Sequence, residues 1–381
     1  MRRAAVCSIV PPHILRNIAE RGEGEAAAIA QEAITLSAEL RDERFASDGV
    51  PALAGKPPAG AGAPLRRVFT AENKRNLPGQ RVELPNRDVA VREAYDGSGK
   101  TWDLFNKAFG RDSIDNRGLR LDSTVHYGTR YSNALWNGRQ MIYGDGDGRY
   151  FLRFTKCLDV IGHELTHGVT QYSARLEYEN ESGALNEHFS DVFGVLTRQF
   201  ASKQTAARAN WLVGAGLYTK RVEGAAIRSM KAPGSAYDDP VLGKDPQPSH
   251  MRDYVRMTED DGGVHINSGI PNRAFYELSV LLGGKAWVVA GKIWHRTLTE
   301  KLRPASRFQD CADATYESAG ELFGLQSGPQ RAVLAAWRAV GIVVSESILS
   351  AGPRLPVRAP EPYQPPAPAA ELPATLPRVR S

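Results

Sequence analysis

Between residues 155 and 173 the apolar positions Ile161, Leu165, Val169 and Tyr172 recur three or four apart, which predicts a helix with one buried stripe. A second stripe of Leu185, Phe189, Val192, Phe193, Leu196 and Phe200 predicts another helix over 184–201. Similar patterns predict helices over 272–302, 306–323 and 328–341, while residues 13–40, rich in Ala, Glu, Leu and Ile, read as one or two more. The stretch from Arg66 to Phe154 behaves differently. Short alternating runs such as Thr124-Val125-His126-Tyr127 and Arg139-Gln140-Met141-Ile142-Tyr143 are broken by Gly, Asn and Asp, as in strands, with one helix near 88–110. Gly144-Asp145-Gly146-Asp147-Gly148 lacks the Glu that an EF-hand needs at loop position 12 and reads as a hairpin turn. The order of elements predicts an α+β protein of two lobes, β-rich first and helical second.

Composition adds boundaries to this picture. Ser47 to Pro64 is dominated by Gly, Ala and Pro and reads as a flexible linker. It divides a short N-terminal module (1–46) from a β-rich lobe (65–172) that carries the first of the two helices, and a helical lobe (173–345) follows. Residues 346–381 hold nine prolines and read as an extended or disordered tail. The chain of 381 residues is 42% hydrophobic, enough for a large core, and its +5 net charge comes without a long basic run, which argues against nucleic acid as a partner. Cys7, Cys157 and Cys311 make neither a disulfide framework nor a C-x-x-C pair. Pro11 and Pro12 interrupt any secretory h-region, and no apolar run is long enough to span a bilayer.

Within the first helical pattern stands His163-Glu164-Leu165-Thr166-His167, an H-E-x-x-H. Residues at i and i+4 lie one turn apart on a single face, roughly 6 Å along the axis, so two neutral imidazoles there can grip one Zn²⁺. Glu164 points beside that position as a candidate base. The spacing also arises by chance, so a third ligand matters. Glu187 and Asp191 share the polar face of the second helix at i, i+4. Glu187 would complete a His₂Glu set with a position left for water, and Asp191 is placed to accept the free ring N–H of a ligand histidine.

His-Glu-Leu-Thr-His-Gly-Val-Thr followed by Glu179-Asn180-Glu181-Ser182-Gly183-Ala184-Leu185-Asn186-Glu187-His188-Phe189-Ser190-Asp191 resembles the thermolysin family of zinc metalloproteases. Tyr131 to Gly138, Tyr143 to Gly148 and Asp260 to Gly269 extend the resemblance over about residues 65–345. The resemblance implies a zinc endopeptidase with Zn²⁺ on His163, His167 and Glu187, and Glu164 as base. It also implies His265 and Tyr178 as donors to the developing oxyanion, Asp260 orienting His265, and Asn186 and Asp191 behind the ligands. Asn133 and Ala134 match the edge that pairs with substrate backbone, and Arg228 the arginine that binds a peptide carbonyl. Phe151, Phe154, Val160, Val213, Leu217 and Ile227 match the primed-side pocket, so cleavage before a large hydrophobic residue is expected, although plain core packing competes for Val213 and Leu217.

Cys7 to Leu15 resembles the short propeptide of protealysin-type members. That implies a zymogen whose N-terminal module blocks the cleft as an intramolecular inhibitor, with Pro11-Pro12 holding an extended strand there and Cys7 a possible zinc thiolate. Secretion is implied by resemblance, by a route other than a recognisable signal peptide, with a cytoplasmic protein as the alternative; a monomer is expected. A zinc aminopeptidase and a zinc-retaining inactive binding protein are the rival readings. Calcium is where the chain departs from its relatives. Asp159 matches one ligand of their paired calcium site, but Arg198 replaces a second, the next loop reads Asn210-Trp211-Leu212, and Ala225 replaces a carboxylate in a further loop. Ca²⁺ wants six to eight oxygens, so a salt bridge in place of the ion is expected.

Overall fold

The computed structural model describes residues 8–46 and 62–350. Cys7, most of the linker and the tail from residue 351 lie outside them. A five-stranded sheet forms the first lobe, from β1 (Arg66–Thr70), β2 (Gln80–Val82), β3 (Leu121–Val125), β4 (Ala134–Trp136) and β5 (Met141–Tyr143), in the order β2-β1-β3-β5-β4. β1–β3 and β3–β5 are parallel, while β1–β2 and β4–β5 are antiparallel. The parallel pairing of β1 with β3 needs a crossover, which helix α3 (Val89–Phe109) provides. The Asp88 carboxylate starts that helix by accepting the N–H groups of Ala90 (2.7 Å) and Val91 (3.3 Å).

Helix α4 (Leu158–Gln171) lies between this sheet and α5 (Asn180–Ser202), the spine of the second lobe. Both helices are buried nearly all round. Their axes come close because Gly194 and Gly162 face each other: a Cβ on Gly194 would stand 2.4 Å from the Asp159 carbonyl oxygen and one on Gly162 3.0 Å from the Gly194 Cα. That approach brings the polar faces of the two helices within reach of each other. The second lobe continues through α6 (Asp260–Asn267), α7 (Gly269–Leu282), α8 (Ala290–Arg296), α9 (Phe308–Phe323), α10 (Gly328–Ala339) and the short α11 (Glu346–Ser350). At the N-terminus, α1 (Pro12–Arg21) and α2 (Glu25–Ala46) pack on each other as a hairpin.

Four expectations need correction. The single helix expected over 272–302 is broken: Gly283 and Gly284 take positive φ (67° and 61°), and the chain resumes as α8 followed by a π turn at Thr297–Lys301. Residues 346–350 of the expected tail are helical. Residues 144–148 are no hairpin turn. They extend the β4–β5 pairing, with Gly144 N–H on Asn133 O (3.0 Å) and Gly146 N–H on Tyr131 O (3.1 Å), and the Asp147 carboxylate then caps a turn through residues 149–151. Finally, of the two prolines only Pro11 is extended (φ −59°, ψ 144°); Pro12 opens α1, where a missing N–H is harmless, and the piece that pairs in the cleft is residues 8–10.

Candidate metal centre and active-site cleft

Each ligand candidate is held from behind. His163 donates from Nδ1 to Asp191 Oδ1 (2.8 Å), and His167 Nδ1 lies 2.9 Å from Asn186 Oδ1 and 3.0 Å from Ser190 Oγ. With the amide assigned this way, both rings carry the proton on Nδ1 and aim an Nε2 lone pair inward. The two Nε2 atoms are 3.0 Å apart, and the Glu187 carboxylate oxygens sit 3.5 Å from each. All three residues are buried, and Glu187 Oε2 has no hydrogen-bond partner among the described residues. Two lone pairs and a carboxylate facing one point repel unless a cation lies between them. The donor set N, N, O and its spread of at most 4.8 Å therefore fit Zn²⁺.

Around this point the other expected residues converge. Glu164 is fully buried; one oxygen accepts the Trp136 N–H of β4 (3.0 Å) and the other has no hydrogen-bond partner among the described residues. Burial, then the charge of Glu187, pushes its carboxyl well above the usual range. Tyr178 donates its hydroxyl to Glu187 Oε1 (2.6 Å) and lies 3.3 Å from His265 Nε2. Asp260 grips His265 twice, at the ring Nδ1 (2.5 Å) and at the backbone N–H (2.9 Å). Burial opposes the charged ring, but Asp260 and Glu187 outweigh it and raise its pKa to about 9. The chain reaches this geometry through strained backbone: Asp260, Asp261, Gly262 and Gly263 all have positive φ, and a Cβ on Gly262 would meet Asn180 Oδ1 at 2.4 Å.

Arg228 is 1% exposed and forms a fork on Asp191, with Nε to Oδ2 (2.9 Å) and one terminal nitrogen to Oδ1 (2.8 Å). Asn272 donates to the same carboxylate (2.8 Å). Asp191 thus joins the His163 ring to Arg228, a link that sequence reading missed, as it missed Ser190, Asn272 and the Trp136 N–H. The i, i+3 spacing of Glu187 and Ser190 puts Ser190 on the same helix face and could have flagged it. Phe151, Phe154, Val160, Val213, Leu217 and Ile227 are all buried.

An extended segment of the chain itself lies in the cleft. Ser8 bridges Leu135 in antiparallel sense, the Ile9 N–H donates to Ala134 O (3.1 Å), and the Val10 N–H donates to Asn133 Oδ1 (3.0 Å). Arg228 donates from its other terminal nitrogen to Ile9 O (3.0 Å), and His265 Nε2 lies 3.0 Å from Ser8 O. Ile9 and Val10 are fully buried. Beyond them α1 and α2 are pinned by His13 to the Tyr237 hydroxyl (2.8 Å), Asn17 to Leu242 O (2.7 Å) and Ser37 to the Tyr131 hydroxyl (2.8 Å). Ion pairs Arg75–Glu32 (2.8 Å), Arg130–Glu25 (2.6 Å) and Arg149–Glu23 ring the contact.

Beside α4, Arg198 occupies the place where calcium was in question. It pairs with Asp159 and donates to Asn210 Oδ1 (2.6 Å) and Leu212 O (2.7 Å), while the Gly214 N–H takes up Asp159 Oδ2 (3.0 Å). A guanidinium thus sits among the three oxygen donors.

Comparison with known proteins agrees with this geometry. Residues 67–171 match the thermolysin metallopeptidase catalytic domain, and residues 174–342 match the thermolysin metallopeptidase alpha-helical domain. An extracellular metalloprotease of Pectobacterium carotovorum subsp. carotovorum is 45% identical over 354 residues, which cover 92% of this chain and all of that protein. Protease PrtS of a Photorhabdus species is 48% identical over 288 residues, 74% of this chain and 77% of its own. The solved precursor of protealysin, a metalloproteinase from Serratia proteamaculans, superposes with a TM-score of 0.80 at 46% identity, over 88% of this chain and all of that one.

Proposed function

The chain belongs to the thermolysin family of metallopeptidases, and from that premise we propose a zinc-dependent endopeptidase, made as a zymogen, that cuts on the N-terminal side of large hydrophobic residues. The observation that carries the endopeptidase reading is the peptide in the cleft. Residues 8–10 cross the site with chain continuing on both sides, so the cleft accepts the interior of a polypeptide. An aminopeptidase needs instead an acidic anchor for a free amine. An inactive zinc-retaining module would have no use for Glu164, whose open oxygen is buried beside the metal ligands.

A zinc ion on His163, His167 and Glu187 would supply a water of lowered pKa and polarise the scissile carbonyl. Glu164, fixed by the Trp136 N–H, takes the proton of that water and passes it to the leaving nitrogen. His265, held charged by Asp260, and the Tyr178 hydroxyl stand together as donors for the oxyanion. Ala134, Asn133 and Arg228 align the primed side by its backbone. Burial of Ile9 between these anchors supports a primed-side preference for large apolar residues. The N-terminal module is read as the intramolecular inhibitor, because the same groups that would hold a substrate hold residues 8–10.

Export is supported by the relative named as an extracellular metalloprotease, and no helix among the described residues is long and apolar enough to cross a membrane. We also read the Arg198 cluster as replacing calcium, so that activity depends on zinc and stability does not depend on calcium. The test of the catalytic reading is a quenched internal peptide blocked at both ends. Glu164→Gln should retain zinc by elemental analysis yet lose at least about 10³-fold in turnover, on the order of 4 kcal/mol in barrier. Near-normal turnover in that variant would overturn it.

A further inference from the structure

The contacts of residues 8–10 are those of a reacting peptide rather than of a plug. A bond about to be hydrolysed needs its carbonyl oxygen on the oxyanion donors, its nitrogen near the general acid, and its flanks aligned by backbone hydrogen bonds. The Ser8 carbonyl oxygen is 3.0 Å from His265 Nε2, which itself is 3.3 Å from the Tyr178 hydroxyl and 3.5 Å from the ligand oxygen Glu187 Oε2. The next nitrogen, of Ile9, makes its full hydrogen bond to Ala134 O (3.1 Å), on the strand whose Trp136 N–H holds the Glu164 carboxylate. Ile9 O is on Arg228 and the Val10 N–H on Asn133. The residue after the bond is a fully buried isoleucine, the type of side chain the proposed specificity places there.

We infer that Ser8–Ile9 is itself a cleavage site, cut in cis by the zinc-loaded precursor as a step distinct from any cut in the linker. This rests on the endopeptidase reading above and adds to it a specific bond. Water is the only co-reactant: its oxygen ends on the Ser8 carboxylate, both of its protons end on the Ile9 nitrogen, carried there by Glu164, and the amide C–N bond breaks to leave an Ile9 ammonium. The products are the peptide 1–8 and a chain that begins at Ile9. Loss of that peptide does not open the cleft. Ile9 and Val10 keep their hydrogen bonds to Arg228 and Asn133, and α1 and α2 remain pinned through His13, Asn17 and Ser37. Trimming therefore leaves the enzyme latent until the rest of the module departs.

The experiment follows the full-length, metal-depleted chain after zinc is added, by N-terminal sequencing and intact mass, at two protein concentrations tenfold apart. The expected result is a fragment beginning at Ile9 that accumulates with the same half-time at both concentrations. Glu164→Gln, or folded wild type with a zinc chelator, should keep the residues upstream of Ile9. Ile9→Gly, which removes the buried side chain, should slow this cut at least about 10-fold. If the wild-type enzyme cleaves its linker and the blocked peptide while Ser8–Ile9 stays intact, the inference is overturned and the endopeptidase reading stands. A half-time that shortens with concentration would overturn cleavage in cis. Absence of every cut would instead remove the endopeptidase reading with it.

Discussion

Arg198→Ala is the substitution that most directly weighs the proposal that this arginine stands in for a calcium ion. Asp159 has 1% of its side chain exposed and Arg198 20%, so the carboxylate is buried and its partner nearly so. Truncation leaves Asp159 with the N–H groups of Val160 (3.1 Å) and Gly214 (3.0 Å), and it takes from Leu212 O the Arg198 donor, while Asn210 Oδ1 keeps the Leu212 N–H (3.1 Å). Removing one member of a buried pair costs about 3–5 kcal/mol because the other charge remains desolvated. The partial exposure of Arg198 puts the value at the lower end. For a protein of this size about 3 kcal/mol corresponds to roughly 5 °C in Tm. The assay is thermal unfolding in a Glu164→Gln background, which prevents self-digestion during heating. A calcium-selective chelator should move the parent by less than about 2 °C, on the order of 1 kcal/mol at that conversion. A fall below about 1 °C in Arg198→Ala, or a calcium-restorable loss of ten degrees or more in the parent, would show that the guanidinium does not stand in for an ion.

His126 lies between Asp145 (2.8 Å) and Asp88 (2.9 Å), and the hydrogen bond to Asp145 outweighs partial burial to raise its pKa to about 9. A folded pKa above the unfolded value of about 6.5 means stabilisation that is complete below pH 6.5 and lost as pH rises through 9. The Tm gap between wild type and His126→Gln should therefore narrow from pH 6 to pH 9.5; a constant gap refutes it. The ion pairs of Arg75, Arg130 and Arg149 to the N-terminal helices are solvent-facing, so each contributes little and is screened by salt. After linker cleavage the N-terminal fragment should dissociate a few-fold faster in 1 M than in about 0.05 M salt, read by size exclusion; equal rates would assign its retention to apolar contacts and the cleft alone.

The zinc ligands were legible because a helix converts fixed spacing into fixed direction: H-E-x-x-H and the Glu187/Asp191 pair needed only two amphipathic patterns to be placed. The salt bridge of Asp159 with Arg198 was legible for the same reason, as a charge reversal on facing helices. Contacts that depend on tertiary placement were not. Nothing in the β-rich stretch announces that β1 and β3 run parallel, or that the Trp136 backbone would orient Glu164. The break at Gly283-Gly284 was overlooked because apolar residues continue on both sides of it, and the exposed Leu281 shows that this spacing was not a buried face throughout. Pro12, unlike the extended Pro11 before it, was misplaced by reading proline as extended, although the first turn of a helix tolerates it equally.

β4 is the last strand of its sheet, and under the function proposed above its outer rim must stay open in a working enzyme, since substrate would dock there. An open rim of unpaired N–H and C=O groups is also what recruits a neighbouring chain into a shared sheet. While Ser8 and Ile9 lie along Leu135 and Ala134, the rim is occupied. The N-terminal module therefore covers a sticky border as well as a reactive one, and newly made chains can crowd together without joining edge to edge. Sheet-mediated association should become a hazard only once the N-terminal module has left β4.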